Sequence, residues 1–182
     1  GLGSITLTLS AENNPGNCPA VTSQITLTVN PDDELALTSA VGTDSQVLCE
    51  TESLTSIIYE FSGGATNATV TGLPTGVTPA VTSNQLIISG TPSAGITATQ
   101  AYTYEVRTSG PCASATLQGT ITVNPDDALA LISGNEIQSL CDTEVLEDIV
   151  YEFSEGATGA TVTGLPAGIS FSVVSGIVTI SG

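Results

Sequence analysis

Four cysteines, eighteen carboxylates and no histidine bound the chemistry open to this 182-residue chain. Without His there is no base for a Ser/His or Cys/His nucleophile, and without Lys no amine for a Schiff base or a Lys–Asn cross-link. Paired carboxylates are the remaining catalytic option, because two of them flanking a glycosidic bond suffice to hydrolyse it. The candidates are Glu50, Glu52 and Glu60, which recur as Asp142, Glu144 and Glu152. A group written into each copy of a repeat fits a structural role better than a single active site, so no enzyme activity is expected.

Hard oxygen ligands cluster at two places, Asn30-Pro-Asp-Asp33 and Asn124-Pro-Asp-Asp127. Asp32, Asp33, Asp126 and Asp127 are the candidate ligands for Ca²⁺, which takes six to eight oxygens and could stiffen a junction. The competing and preferred reading is a polar turn before a strand, since no Asp-x-Asp-x-Asp-Gly loop is present. No other cofactor is expected. Zinc is disfavoured because the sequence has neither a Cys-x-x-Cys pair nor a His.

These residues are placed by a repeat. Leu48-Cys-Glu-Thr-Glu, Tyr59-Glu-Phe-Ser62 and Ala68-Thr-Val-Thr-Gly-Leu-Pro74 return as Leu140-Cys-Asp-Thr-Glu, Tyr151-Glu-Phe-Ser154 and Ala160-Thr-Val-Thr-Gly-Leu-Pro166, all 92 positions on. A period of that length is one small domain, of the size of an immunoglobulin-like sandwich. Thr, Ser, Val, Ile and Gly suit pleated strands and tight turns. The expected class is therefore all-β, as tandem immunoglobulin-like sandwich modules, one complete and two partial. Residues 1–30 read as the last two strands of one module, 31–123 as a complete module, and 124–182 as the first two-thirds of another. The piece is expected to be internal to something longer, its split module completed by the same chain or by a neighbouring copy.

Period-two alternation between Gly, Pro and Asn turns predicts strands at 34–39, 46–49, 56–61, 68–72, 77–82, 85–89, 101–108 and 115–123. Ile57, Tyr59 and Phe61 share one face and are expected in the core, with Val70, Leu86, Ile88, Tyr102, Tyr104, Val106, Ile121 and Val123. Two tyrosines on one strand face can both lie deep only if their hydroxyls find partners or reach the rim. Asn67-Ala-Thr69 has the form of a glycosylation sequon, but its counterpart is Gly159, so chance explains it.

Repeat-locked cysteines in a small β module argue for disulfides and an oxidising compartment. The expected pair is Cys49–Cys112, with Cys18 and Cys141 pairing outside this segment. A loop of that length would contribute roughly 4 kcal/mol in the chain-entropy picture. Yet five strands separate the two cysteines, and strict up-and-down alternation puts them at opposite ends. Pairing requires either that one segment is not a full pass or that Cys49 lies on an early strand beside the last one.

A net charge of −17, with Arg107 the one cation, cannot neutralise phosphates, so nucleic acid is not an expected partner. Anionic lipid would repel the chain, and no apolar run is long enough to insert into a membrane. Uniform negative charge is expected to keep a long β array soluble.

Gly72-Leu-Pro-Thr-Gly-Val77, Ile88-Ser-Gly-Thr-Pro92, Tyr102-Thr-Tyr-Glu-Val106 and Ser109-Gly-Pro-Cys112, with the Thr-Val-Asn-Pro linker, resemble a known family of repeats. They are similar to the Ig-like or PKD-like repeats of very large Bacteroidota cell-surface adhesins, of which the gliding-motility adhesin SprB is one. The resemblance covers essentially the whole chain. It implies secretion, a cell-surface location, and an extended stalk for attachment or gliding motility. Neighbouring repeats would be partners, with an unidentified surface or glycan ligand. The alternative is an accessory carbohydrate-binding or spacer module of a secreted enzyme; the absence of Trp removes the usual platform for sugar rings.

Overall fold

The computed structural model describes residues 3–11, 19–141 and 143–182. Along the chain run β1 (Gly3–Ala11), β2 (Val21–Val29), β3 (Asp33–Leu37), β4 (Ser45–Cys49), β5 (Ile57–Gly63), β6 (Asn67–Thr71) and β7 (Val77–Thr82). They are followed by β8 (Gln85–Gly90), β9 (Gln100–Ser109), β10 (Thr116–Asn124), β11 (Asp127–Ser133), β12 (Ile149–Glu155), β13 (Ser170–Val174) and β14 (Ile177–Ser181). All eight strands expected between residues 34 and 123 are present, their ends shifted by one or two positions. No helix among the described residues is long and apolar enough to cross a membrane.

The middle of the chain is a two-layer sandwich. One sheet has the order β3-β5-β8-β7 and the other β4-β10-β9-β6. The chain crosses between layers at each step from β3 to β7 and again from β8 to β9, while β7–β8 and β9–β10 are hairpins within one sheet, and the apolar face of each sheet is covered by the other. β3 pairs antiparallel with β5, whereas β4, reached by crossing to the second sheet, runs parallel to β10. These are the pairings of an immunoglobulin-type sandwich. Pro79 sits inside β7, which is tolerable because β7 is an edge strand.

Between the layers lie Ile57, Tyr59, Phe61, Leu86, Ile88, Tyr104, Val106, Ile121 and Val123, all buried as expected; Val70 and Tyr102 pack partly buried against them. The tyrosines divide as their hydroxyls require. Tyr104 is fully buried and its hydroxyl lies 3.0 Å from that of Tyr59, also donating to the Asp44 carbonyl at 3.3 Å. Tyr102 keeps its hydroxyl at the rim and donates to Gln100 Oε1. Tyr59 on β5 and Tyr104 on β9 stand on the two strands that antibody domains join by their inter-sheet disulfide. A hydroxyl pair thus bridges the layers where a covalent bond does so elsewhere. Tyr104 faces Gly119 across the β9–β10 ladder, and a Cβ at that glycine would collide with the phenol ring.

The flanking parts repeat pieces of this plan. β1 and β2 form a hairpin in which Ile5, Leu7 and Leu9 face Leu27, Ile25 and Ser23. β11-β12-β14-β13 form a four-stranded sheet with the order of β3-β5-β8-β7. Residues 137–141 and 159–163, the counterparts of β4 and β6, are not strands here. In the middle module those two strands are held by β10 and β9, and the third sheet has no such partners.

Candidate functional site: the module junction

The sequence-level candidates fall at the two ends of the middle sandwich. Asp32 and Asp33 lie at the upstream end, where β3 begins, beside the turn joining β9 to β10. Asp33 N–H donates to the Ala113 carbonyl at 3.0 Å, and the Ala113 N–H donates to Asp32 Oδ1 at 3.4 Å. Asp126 lies at the downstream end, where its Oδ2 accepts the Thr51 hydroxyl at 2.7 Å. Asp127 is exposed. The two equivalent carboxylates thus make different bonds: Asp126 holds the turn after β4 of the module behind it, and Asp32 holds the β9–β10 turn of its own module.

This placement bears on Ca²⁺. The four aspartates lie as two pairs at opposite ends, and among the described residues no three His, Cys, Asp or Glu side chains are gathered to hold an ion. Asp32 and Asp126 already accept hydrogen bonds. Asp33 is buried, and neither of its carboxylate oxygens has a partner. Its carboxylate lies over the Cα of Gly110, where any side chain would strike Asp33 Oδ1 and the Gly64 carbonyl at 2.5 Å. These groups do not by themselves make the six-to-eight-oxygen shell that Ca²⁺ takes.

The expected Cys49–Cys112 disulfide is not formed; Cys49, Cys112 and Cys141 are exposed free thiols. Cys49 does lie on an early strand beside the last one, but β4 runs parallel to β10, which sets Cys49 opposite Asn124 at the downstream end. Cys112 lies in the β9–β10 turn at the upstream end, its thiol 3.6 Å from the Asn30 carbonyl. A strand of about nine residues separates these levels by roughly 27 Å, against the ~7 Å Cα limit of a disulfide. Cys18 and Asp142 lie outside the described residues.

The carboxylates considered for glycoside chemistry act as local locks. Glu50 is buried, and its Oε2 accepts the Gly95 and Ile96 N–H groups at 2.6 and 3.0 Å, pinning the loop between β8 and β9. Glu52 and Glu144 each accept the N–H of the cysteine three residues earlier, at 3.3 and 2.7 Å. Glu60 accepts from Asn84 at the β7–β8 turn, and Glu152 is exposed. The long-range role of Glu50 was not legible beforehand, because nothing local marks Gly95 as its partner.

Burial raises the Tyr104 phenol well above its ordinary pKa, and the Tyr59 hydroxyl bond adds to the effect. Tyr59 is raised chiefly by burial, partly offset by its bond to Tyr104. Tyr151, the counterpart of Tyr59, has no buried partner and donates to Glu136 Oε1 at 3.0 Å; that bond raises its pKa, with burial second.

No protein-family model and no curated protein matches the sequence. Solved structures with a similar arrangement include a titin fragment, at TM-score 0.41 and 10% identity over 75% of this chain and 78% of that one. Extracellular cadherin domains 3–6 of protocadherin gamma B2 align at TM-score 0.44 and 16% identity, over 97% of this chain and 48% of theirs. A family 107 endo-fucoidan hydrolase aligns at TM-score 0.32 and 16% identity, over 100% of this chain and 30% of its own. The chain thus spans half or less of the latter two, and the likeness is one of architecture alone. The sheet orders and strand pairings described above define the class by themselves: a tandem β-sandwich repeat of the immunoglobulin type.

Proposed function

We propose that the chain is a spacer segment of an extracellular, cell-surface adhesin or filament, of the kind its repeats resemble, with reach rather than catalysis as its task. The observation that carries this reading is the junction. The short Asn-Pro-Asp-Asp linker recurs at Asn30–Asp33 and Asn124–Asp127, and at the second of these Asp126 accepts the Thr51 hydroxyl of the preceding module, a joint that the repeat can write any number of times. Each module adds a strand length, and reach then grows with repeat number. The charge of −17 supports this by opposing lateral association of neighbouring shafts. The buried positions of Tyr59, Phe61 and Tyr104 remove three aromatics from any sugar-stacking surface, which weighs against the carbohydrate-binding alternative. Small-angle scattering on chains carrying increasing numbers of the 92-residue unit tests the proposal. A maximum dimension that rises linearly with unit number is expected; a compact particle growing as the cube root of mass would overturn it.

A further inference from the structure

The two cysteines of the middle module stand at opposite ends, and each end meets the same linker sequence. At the downstream end Cys49 is the Cα partner of Asn124, whose carbonyl accepts the Glu50 N–H at 3.0 Å. One residue further on, Thr51 donates its hydroxyl to Asp126 Oδ2. At the upstream end the Cys112 thiol donates to the Asn30 carbonyl at 3.6 Å, and the Ala113 N–H donates to Asp32 Oδ1. Asn30 and Asn124, like Asp32 and Asp126, hold the same places in Asn-Pro-Asp-Asp. Through the same two positions, the linker thus grips the Cys49 turn of the module before it and the Cys112 turn of the module after it.

The two grips are compatible at one joint. A carbonyl oxygen has two lone pairs, enough for an amide N–H and a thiol together. The carboxylate offers Oδ2 to Thr51 and Oδ1 to Ala113, so neither bond displaces the other. Cys49 is also fixed by its own turn: its N–H donates to Glu52 Oε2, and its carbonyl accepts the Glu52 N–H. Cys141 and Glu144 repeat both bonds. The placement of this cysteine is therefore a property of the unit, made by local residues in each copy.

We infer that, where two complete units follow one another, Cys49 of the first and the cysteine equivalent to Cys112 in the second form a disulfide across the joint. Within one module the two thiols are a strand length apart, whereas across a joint both lie beside one asparagine carbonyl. Two thiols become one disulfide while a disulfide oxidant, such as glutathione disulfide, is reduced to two thiols. The bond gives each joint a second covalent path, so tension on the array does not pass through the proline linker alone.

The inference rests on the tandem reading of the chain, and its test is separate from the scattering test of length. The unit is self-contained, since its core and the apolar side chains packed against it all lie between Leu35 and Val123. Residues 31–124 can therefore be studied alone and written twice in tandem, which reproduces Asn-Pro-Asp-Asp at the joint. With glutathione disulfide, the monomeric doubled chain should lose half of its thiols and yield a linked Cys49–Cys112 peptide. The single unit should keep both thiols and yield no such peptide. Replacing the outer pair, Cys112→Ser in the first copy and Cys49→Ser in the second, should leave the bond in place. Replacing the inner pair, Cys49→Ser in the first copy and Cys112→Ser in the second, should abolish it. Circular dichroism checks that both variants keep their β structure, and the unsubstituted comparison decides the matter without them. A linked peptide from the monomeric single unit, a doubled chain that keeps all its thiols, or a bond that survives loss of the inner pair overturns the inference. A cross-linked but compact array would sink the spacer reading alone, and an extended array with every thiol free would sink the disulfide alone.

Discussion

Tyr59 and Tyr151 occur in the same words, Tyr-Glu-Phe-Ser, on corresponding strands of sheets with the same order. Tyr59 is sealed between two layers with its hydroxyl on Tyr104, while Tyr151 is half-buried with its hydroxyl on Glu136. What differs is the opposite sheet. The same contrast decides secondary structure: Ala68-Thr-Val-Thr71 lies in a strand paired to β9, and Ala160-Thr-Val-Thr163 lies in none. A strand at the edge of a sandwich is held by its ladder, so its propensity is expressed only when the neighbour is there. The module is therefore a cooperative unit of two sheets, and the first sheet forms with its own internal pairing intact while the second depends on β9 and β10.

Truncating the two tyrosines should separate these states most clearly. Tyr59→Ala removes a fully enclosed aromatic and should cost about 3–5 kcal/mol of middle-module stability. Tyr151→Ala should cost under about 1 kcal/mol, since its ring is only half covered. Chemical denaturation of both variants checks the pair; equal losses would mean that the third sheet is as enclosed as the middle one.

Glu50→Ala is next. Losing the buried acceptor for Gly95 and Ile96 should cost about 2–3 kcal/mol. Hydrogen exchange should quicken at those two amides while the β5 and β8 amides keep their protection.

The alkaline limit should also be local to the middle module. Tyr59 and Tyr104 have folded pKa values raised by burial above the ordinary 10.0. Above that pH the unfolded chain gives up phenolic protons that the folded module retains, so stability falls as pH rises. Their contribution is complete below pH 10 and is lost as pH climbs through the raised values. A melting temperature that drops above pH 10 in the parent chain and less in Tyr59→Phe is the expected result.

Asp33→Asn should have the smallest effect. It removes an unpartnered buried charge at constant shape and should stabilise the module by about 1 kcal/mol. If a cation sits at Asp33, the sign reverses, and a Ca²⁺-dependent rise in the melting temperature of the parent disappears in the variant.

Much of this was legible in the residues. The 92-residue period, the strand positions and the alternation of Ile57, Tyr59 and Phe61 follow from covalent order and period-two patterning, which survive any tertiary context. The strain between a Cys49–Cys112 bond and up-and-down strands was also visible, but its resolution was not. That needed the fact that β4 pairs parallel to β10, a choice made by which sheet the chain crosses into. The long-range bonds of Glu50 to Gly95 and of Thr51 to Asp126 are likewise invisible to local patterns, since their partners are brought together only by packing. The sequence by itself determined the unit and its repetition, because both are written in composition and spacing. Only the tertiary structure decided which copies of the same words become strands and which tyrosine is buried, because both depend on whether a second sheet is present.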